Sequence, residues 1–105
     1  MARLPKFFEE FRATYPDVAE HYERLGDACR AAGPLDERTS ELIKLAIAVG
    51  AGTEGSAHSH ARRALAAGAT AEQLEHVVLL AVTTIGFPRA MAGLAWVRDV
   101  TRAQK

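Results

Sequence analysis

The chain has 105 residues, and its thirteen acidic and thirteen basic residues give a formal net charge of zero. This length predicts one domain over residues 1–105, and the absence of a basic tract argues against nucleic acid as a partner. No run approaches the roughly 20 apolar residues of a transmembrane helix. Met1-Ala-Arg-Leu-Pro shows no signal-peptide pattern, so we expect a cytoplasmic protein without a membrane partner. The single cysteine, Cys29, excludes an intrachain disulfide and a thiolate zinc cluster.

Two amphipathic helices are predicted at the start of the chain. The first runs from Leu4 to Tyr15 and ends at Tyr15-Pro16. The second runs from Asp17 to Ala32 and ends at Gly33-Pro34. Their apolar stripes are Leu4, Phe7, Phe8 and Phe11, and then Val18, Tyr22, Leu25, Cys29 and Ala32. Because Cys29 belongs to such a stripe, we expect it to point inward as an inert core thiol.

The third helix should begin after Asp36, a favourable capping residue. It continues as an almost wholly apolar run over residues 42–49, which indicates burial on nearly all sides. Glu41 lies at the entrance of this run and has two interpretations. It is either an exposed glutamate paired with Lys44, which the spacing alone favours, or a partly buried carboxylate that faces the next helix.

A glycine-rich turn leads into a central helix that is predicted from Thr53 to Ala67. Successive helical residues turn by about 100°, so one side of this helix combines small and polar residues. They are Thr53, Ser56, Ala57, His60, Ala64 and Ala67. Alanine permits close helix packing, so we expect these polar groups in a narrow crevice. Glu54, His58 and Arg62 lie opposite as a solvated charge ladder.

A metal site is not predicted on the central helix. His58 and His60 are two residues apart, so their side chains point about 160° apart and cannot share an ion. A serine hydrolase is also disfavoured, because Ser56 lacks the strand-turn-helix elbow that presents such a nucleophile.

Two further helices complete the chain. Gly68 should stop the central helix, and Thr70-Ala-Glu-Gln73 has the pattern of a capping box that starts the fifth helix. The last helix is predicted from Arg89 to Arg102 and carries two apolar stripes, which indicates one for the core and one for a partner subunit. These stripes are Met91, Leu94 and Ala95, and Trp96 and Val100. Six helices without a strand pattern predict an all-α bundle.

The polar side of the central helix suggests acid–base chemistry. The imidazole of His60 can act as an acid or a base, and a carboxylate from Glu41 would orient its ring and make it a better base. Thr53 and Ser56 would bind substrate, and Arg63 would contact an anionic group. The structural alternative assigns His60 to a buried hydrogen bond, Thr53 and Ser56 to their own helix, and Arg63 to solvent.

Three segments of the sequence resemble the carboxymuconolactone decarboxylase family, which includes the alkyl hydroperoxidase D-like proteins. They are Leu35-Asp-Glu-Arg-Thr-Ser-Glu-Leu-Ile-Lys-Leu-Ala, His60-Ala-Arg-Arg-Ala-Leu-Ala-Ala-Gly-Ala-Thr-Ala-Glu-Gln-Leu and Gly86-Phe-Pro-Arg-Ala. The resemblance covers roughly residues 34–98 and implies a six-helix alkyl hydroperoxidase D-like bundle that assembles as trimers or hexamers. It matches Glu41 and His60 to the glutamate and histidine of peroxidase-type members.

The chain departs from the two better-known kinds of member. The cysteine pair of the peroxidase type falls on Thr53 and Ser56, and hydroxyls cannot cycle through a disulfide, so peroxiredoxin-like activity is not expected. The decarboxylase type typically has a glutamate where this chain has Ser56. We therefore expect either a cofactor-free lyase or isomerase acting on a small molecule through His60 and Glu41, or a binding or structural member without turnover.

Overall fold

The computed structural model describes residues 6–103, and every regular element in that range is an α-helix. The helices are α1 (Lys6–Thr14), α2 (Pro16–Ala31), α3 (Glu37–Ala51), α4 (Glu54–Ala66), α5 (Ala71–Ile85) and α6 (Phe87–Ala103). The all-α prediction is confirmed, and no helix within residues 6–103 has the length and apolar character needed to cross a bilayer. The helices form two compact units, α1–α2 and α3–α6. The single domain expected over residues 1–105 stays a prediction.

The first unit is a pair of helices held together by contacts between α1 and α2. On α1 the rings of Phe8 and Phe11 are stacked with their centroids 6.3 Å apart. Arg12 of α1 forms a salt bridge with Glu23 of α2. The predicted start of the first helix at Leu4 lies outside the described residues.

The apolar stripe of α2 corrects one prediction. Cys29 is exposed, so the expectation that it points inward as a core thiol is wrong. Val18, Tyr22 and Leu25 of the same stripe are exposed as well. Helical spacing shows which side chains share a face, but it does not show that the chain supplies a partner for that face. Among the described residues of α2, only Ala19 is buried.

The second unit is built around the small residues of α4, which contacts both α3 and α6. Alanine side chains let neighbouring backbones approach closely, so this short helix is enclosed on two sides. The buried apolar residues of the unit are Leu45, Ala48, Val49, Ala57, Ala61, Ala64, Ala69, Leu74, Val78, Ala90, Val97 and Val100. This core holds the buried side of α4 in a fixed orientation, which in turn positions the polar residues beside it.

The contact between α3 and α6 depends on a glycine. Gly93 is buried on α6, and a Cβ atom placed on it would lie 2.6 Å from Cγ1 of Val49 on α3. That distance is well inside van der Waals contact, so only glycine fits with Val49 in its present position.

The turns agree with the predicted glycine and capping signals. Gly52 ends α3 in the left-handed conformation with φ of 77°, and its N–H contacts the carbonyl of Ala48. Gly68 follows α4 with φ of 101°. Thr70 and Gln73 form both bonds of the capping box at the start of α5, each at 3.0 Å. The central helix therefore keeps its predicted place, with Thr53 and Ala67 as its caps rather than its ends.

The last helix starts two residues before its predicted beginning. Its two apolar stripes lie near the core except for Ala95, which is exposed. Val100 is buried, and Met91, Leu94 and Trp96 are partly buried against the core residues. The division of α6 into a stripe for the core and a stripe for a partner subunit stays a prediction.

Candidate functional site

Glu41 and His60 form a hydrogen-bonded pair that joins α3 to α4. The distance from Nδ1 of His60 to Oε1 of Glu41 is 2.8 Å. Glu41 is a buried charged residue, with only 2% of its surface exposed. The His60 side chain is 19% exposed. The interpretation of Glu41 as a buried carboxylate facing the next helix is confirmed, and the interpretation as an exposed partner of Lys44 is wrong. The alanine face of α4 brings α3 near enough for this contact.

The charge of Glu41 follows from opposing effects on its pKa. Burial is the largest single effect and raises the pKa, because it disfavours the charged form. The hydrogen bond from His60 and the positive charge of that ring lower it, and Lys44 and Arg63 lower it further. The net result is a Glu41 pKa below its ordinary value, so the carboxylate is ionised at neutral pH.

An ionised Glu41 fixes the proton arrangement of His60. A carboxylate can only accept hydrogen bonds, so Nδ1 of His60 must carry the hydrogen that it donates to Oε1. When the imidazole is neutral, Nε2 therefore has the free lone pair. Glu41 thus selects the tautomer in which Nε2 can take up a proton.

Thr53 and Ser56 occupy different positions from each other. The Thr53 hydroxyl donates to the carbonyl of Ala48 at 3.2 Å, so it helps to join the end of α3 to the start of α4. Because its hydrogen is used there, this hydroxyl offers a ligand only its lone pairs. Ser56 is exposed, and its hydroxyl makes no hydrogen bond within residues 6–103.

Arg63 is exposed on α4 and forms no ion pair with another described residue, yet its charge lowers the pKa of Glu41. The chain therefore brings Glu41 and His60 into contact and leaves Ser56 and Arg63 on the surface. The enclosed crevice expected around these residues stays a prediction.

A second polar cluster lies on the other side of α4. His58 is bonded through Nε2 to Oδ2 of Asp99 on α6 at 3.0 Å, and Oε2 of Glu54 lies 3.9 Å from the same nitrogen. The His58 side chain is 24% exposed. A recess of about 260 Å³ adjoins this cluster and is lined by His58, Arg62, Asp99, Val100 and Ala103.

The sequence pattern of Glu54, His58 and Arg62 predicted a solvated ladder and missed this contact. The i, i+4 spacing correctly places Glu54 beside His58. Asp99, however, lies 41 residues further along the chain, and no local pattern connects it with α4. Only the packing of α6 against α4 reveals the cluster.

The sequence and the fold both match the same protein family. The family model of the carboxymuconolactone decarboxylase family matches residues 16–99. The fold is similar to the crystal structure of the apo form of a carboxymuconolactone decarboxylase family protein from Legionella pneumophila, with a TM-score of 0.76 and 26% identity. That similarity covers 91% of this chain and 85% of the Legionella chain.

One curated relative is an uncharacterized protein from Haemophilus influenzae. It is 36% identical over 63 residues, a match that covers 60% of this chain and 56% of the relative. The chain thus spans little more than half the length of that protein.

Proposed function

Because the chain belongs to the carboxymuconolactone decarboxylase family, we propose that it is a cofactor-free enzyme that moves a proton next to a carbonyl group of a small substrate. The observation that carries the proposal is the 2.8 Å bond between a buried carboxylate and His60. Such a partner holds an imidazole in one tautomer and stabilises the cation that forms when it acts as a base. The reaction is a decarboxylation or an isomerisation.

In an isomerisation, Nε2 of His60 takes a proton from the carbon beside the carbonyl, which leaves an enolate. The imidazolium, held by Glu41, then returns the proton to a different carbon. In a decarboxylation, loss of carbon dioxide leaves the enolate, and a protonated His60 supplies the proton to carbon. Both reactions need one well-placed acid or base and no electron acceptor.

The surroundings of His60 favour a substrate that carries a carboxylate. Arg63 is free to contact an anionic group, and the exposed Ser56 hydroxyl can both donate and accept. Thr53 would accept a hydrogen bond through its oxygen. These three residues would orient the substrate, while His60 and Glu41 perform the proton transfer.

The test is a panel of keto acids and unsaturated lactones that carry a carboxylate, followed by NMR in D₂O. Turnover and solvent deuterium at carbon are expected for the wild type, and His60→Gln should lower kcat by about 10²–10⁴-fold, the usual contribution of a general acid or base. His76→Gln, on an exposed position of α5, is the matched control and should be fully active. A His60→Gln protein with full activity would contradict the proposal.

A binding role without turnover is the second candidate. The exposure of Ser56 and Arg63 favours it, because an open surface excludes little water from a reaction. Saturable binding of a panel compound, without deuterium uptake or product, would identify this case.

We also propose that copies of the chain associate. Several large apolar side chains of the second unit are exposed, and they represent surface that an oligomer would cover. They are Ile43, Ile47, Leu79, Leu80, Ile85 and Phe87. Light scattering should give a mass of three or six chains, and Ile47→Asp or Leu80→Asp should reduce it. A monomeric wild type would contradict the proposal.

A further inference from the structure

The cluster of Glu54, His58 and Asp99 is distinct from the Glu41–His60 pair. His58 and His60 are two residues apart on α4, so their side chains point about 160° from each other. His58 faces Asp99 of α6, whereas His60 contacts Glu41 of α3. The proposed proton transfer makes no use of Glu54, His58 or Asp99.

We propose that Glu54, His58 and Asp99 bind a divalent transition-metal ion of the Zn²⁺ type. The structure places one potential ligand atom of each residue within 4.8 Å of the other two. Ligand atoms about 2.0–2.1 Å from a tetrahedral zinc ion lie about 3.3 Å apart. The 3.0 Å and 3.9 Å separations from Nε2 of His58 to the two carboxylates bracket that value.

The donor set selects the kind of ion. Magnesium and calcium prefer oxygen ligands alone, whereas an imidazole with carboxylates suits zinc and its first-row neighbours. Two carboxylates also balance the double charge of the ion. This balance matters because the guanidinium of Arg62 lines the same recess and opposes a cation.

The recess lined by His58 and Asp99 leaves space beside these two proposed ligands. Its volume of about 260 Å³ exceeds that of several water molecules, each of which takes about 30 Å³ in the liquid. Three protein ligands beside a space that has room for water match an open zinc site, in which water takes the fourth position. The ion would also link α4 to α6.

The test is titration of the full chain with Zn²⁺ by calorimetry, in a Cys29→Ser background that removes the exposed thiol as a competing ligand. We expect one Zn²⁺ per chain. His58→Gln and Asp99→Asn should each weaken binding by more than about 100-fold, because loss of an outer-shell partner alone costs about 10–100-fold. The Glu54 side chain is 60% exposed, so Glu54→Gln should not disturb folding. The loss of zinc affinity in this variant can therefore be measured on a folded protein.

Two controls make the result specific. His76→Gln removes an exposed histidine from α5 and should bind Zn²⁺ as the parent does. Zinc should raise the Tm of the parent and leave that of Asp99→Asn unchanged, since only the former has the link between α4 and α6. Absence of saturable binding, or equal affinity in the parent and the Glu54→Gln and His58→Gln proteins, would overturn the proposal. Neither result depends on turnover, so this test is separate from that of the proposed enzyme.

Discussion

The His60→Ala protein is expected to be less stable than the wild type by about 3 kcal/mol at pH 7, the lower end of the cost of leaving a buried charge without its partner. The reason is that Glu41 stays buried but loses the group that holds its charge. The lower end applies because the His60 side chain is itself 19% exposed, so water can partly replace it. Against a typical unfolding free energy of about 5–15 kcal/mol, this loss is large.

The pH dependence of that loss has a definite sign. In the wild type the pKa of Glu41 is lowered, so its stabilising contribution is present above the ordinary glutamate pKa of 4.5 and is lost as the pH falls through the folded-state value. Without His60, burial becomes the dominant effect and should raise the folded-state pKa of Glu41. The variant then loses stability as the pH rises above 4.5. The two proteins should therefore differ less at pH 4 than at pH 7.

Urea denaturation at both pH values measures this difference. His76→Ala, at an exposed position of α5, is the control and should change stability by less than about 0.5 kcal/mol. In the Glu41→Gln background the pH-dependent part of the His60→Ala effect should become smaller, since the buried carboxylate is gone. A His60→Ala loss that is equal at pH 4 and pH 7 would show that Glu41 is not the origin of the effect.

Gly93→Ala is expected to destabilise the protein by about 1–2 kcal/mol. Overpacking of a core costs about 1–3 kcal/mol, and the better helix propensity of alanine returns up to about 1 kcal/mol. The new methyl would lie 2.6 Å from Cγ1 and 3.0 Å from Cγ2 of Val49. A β-branched residue in a helix has one strongly preferred χ1 rotamer, so Val49 cannot easily turn away.

Gly55→Ala provides the contrasting control for this substitution. Gly55 lies on α4 in an exposed position, and nothing is within 4 Å of a Cβ placed there. It should therefore show only the propensity gain, of up to about 1 kcal/mol. In a Val49→Ala background, the cost of Gly93→Ala should shrink, because the two sites interact directly. An unchanged cost in that background would contradict the assigned contact.

Local sequence signals predicted the helix boundaries well, because capping is a short-range interaction. Asp36 accepts a hydrogen bond from the backbone N–H of Thr39 at 2.7 Å, as expected of a capping residue. The capping box of Thr70 and Gln73 and the stop at Gly68 are likewise properties of a few adjacent residues. Each of these features can therefore be predicted without knowing how the other helices pack.

The candidate site was only partly predictable, because its contacts join separate helices. Periodicity placed His60 on the packed side of α4, but it did not decide between an exposed and a buried Glu41. The same reasoning assumed that the Cys29 stripe was covered, whereas it is exposed. The partner of His58 lies on another helix and had no local signal. Periodicity predicts the direction in which a side chain points, but its contacts depend on how the helices pack.

The short connection between α3 and α4 affects the order in which the helices fold. Gly52 and Thr53 connect the two helices directly, so Glu41 and His60 are 19 residues apart in the chain, against 41 for His58 and Asp99. Closing the longer loop costs roughly 0.7 kcal/mol more in chain entropy. Contacts of short sequence separation also favour rapid folding. The carboxylate–imidazole pair should therefore assemble early, as part of one helical hairpin, before α6 completes the opposite side of α4.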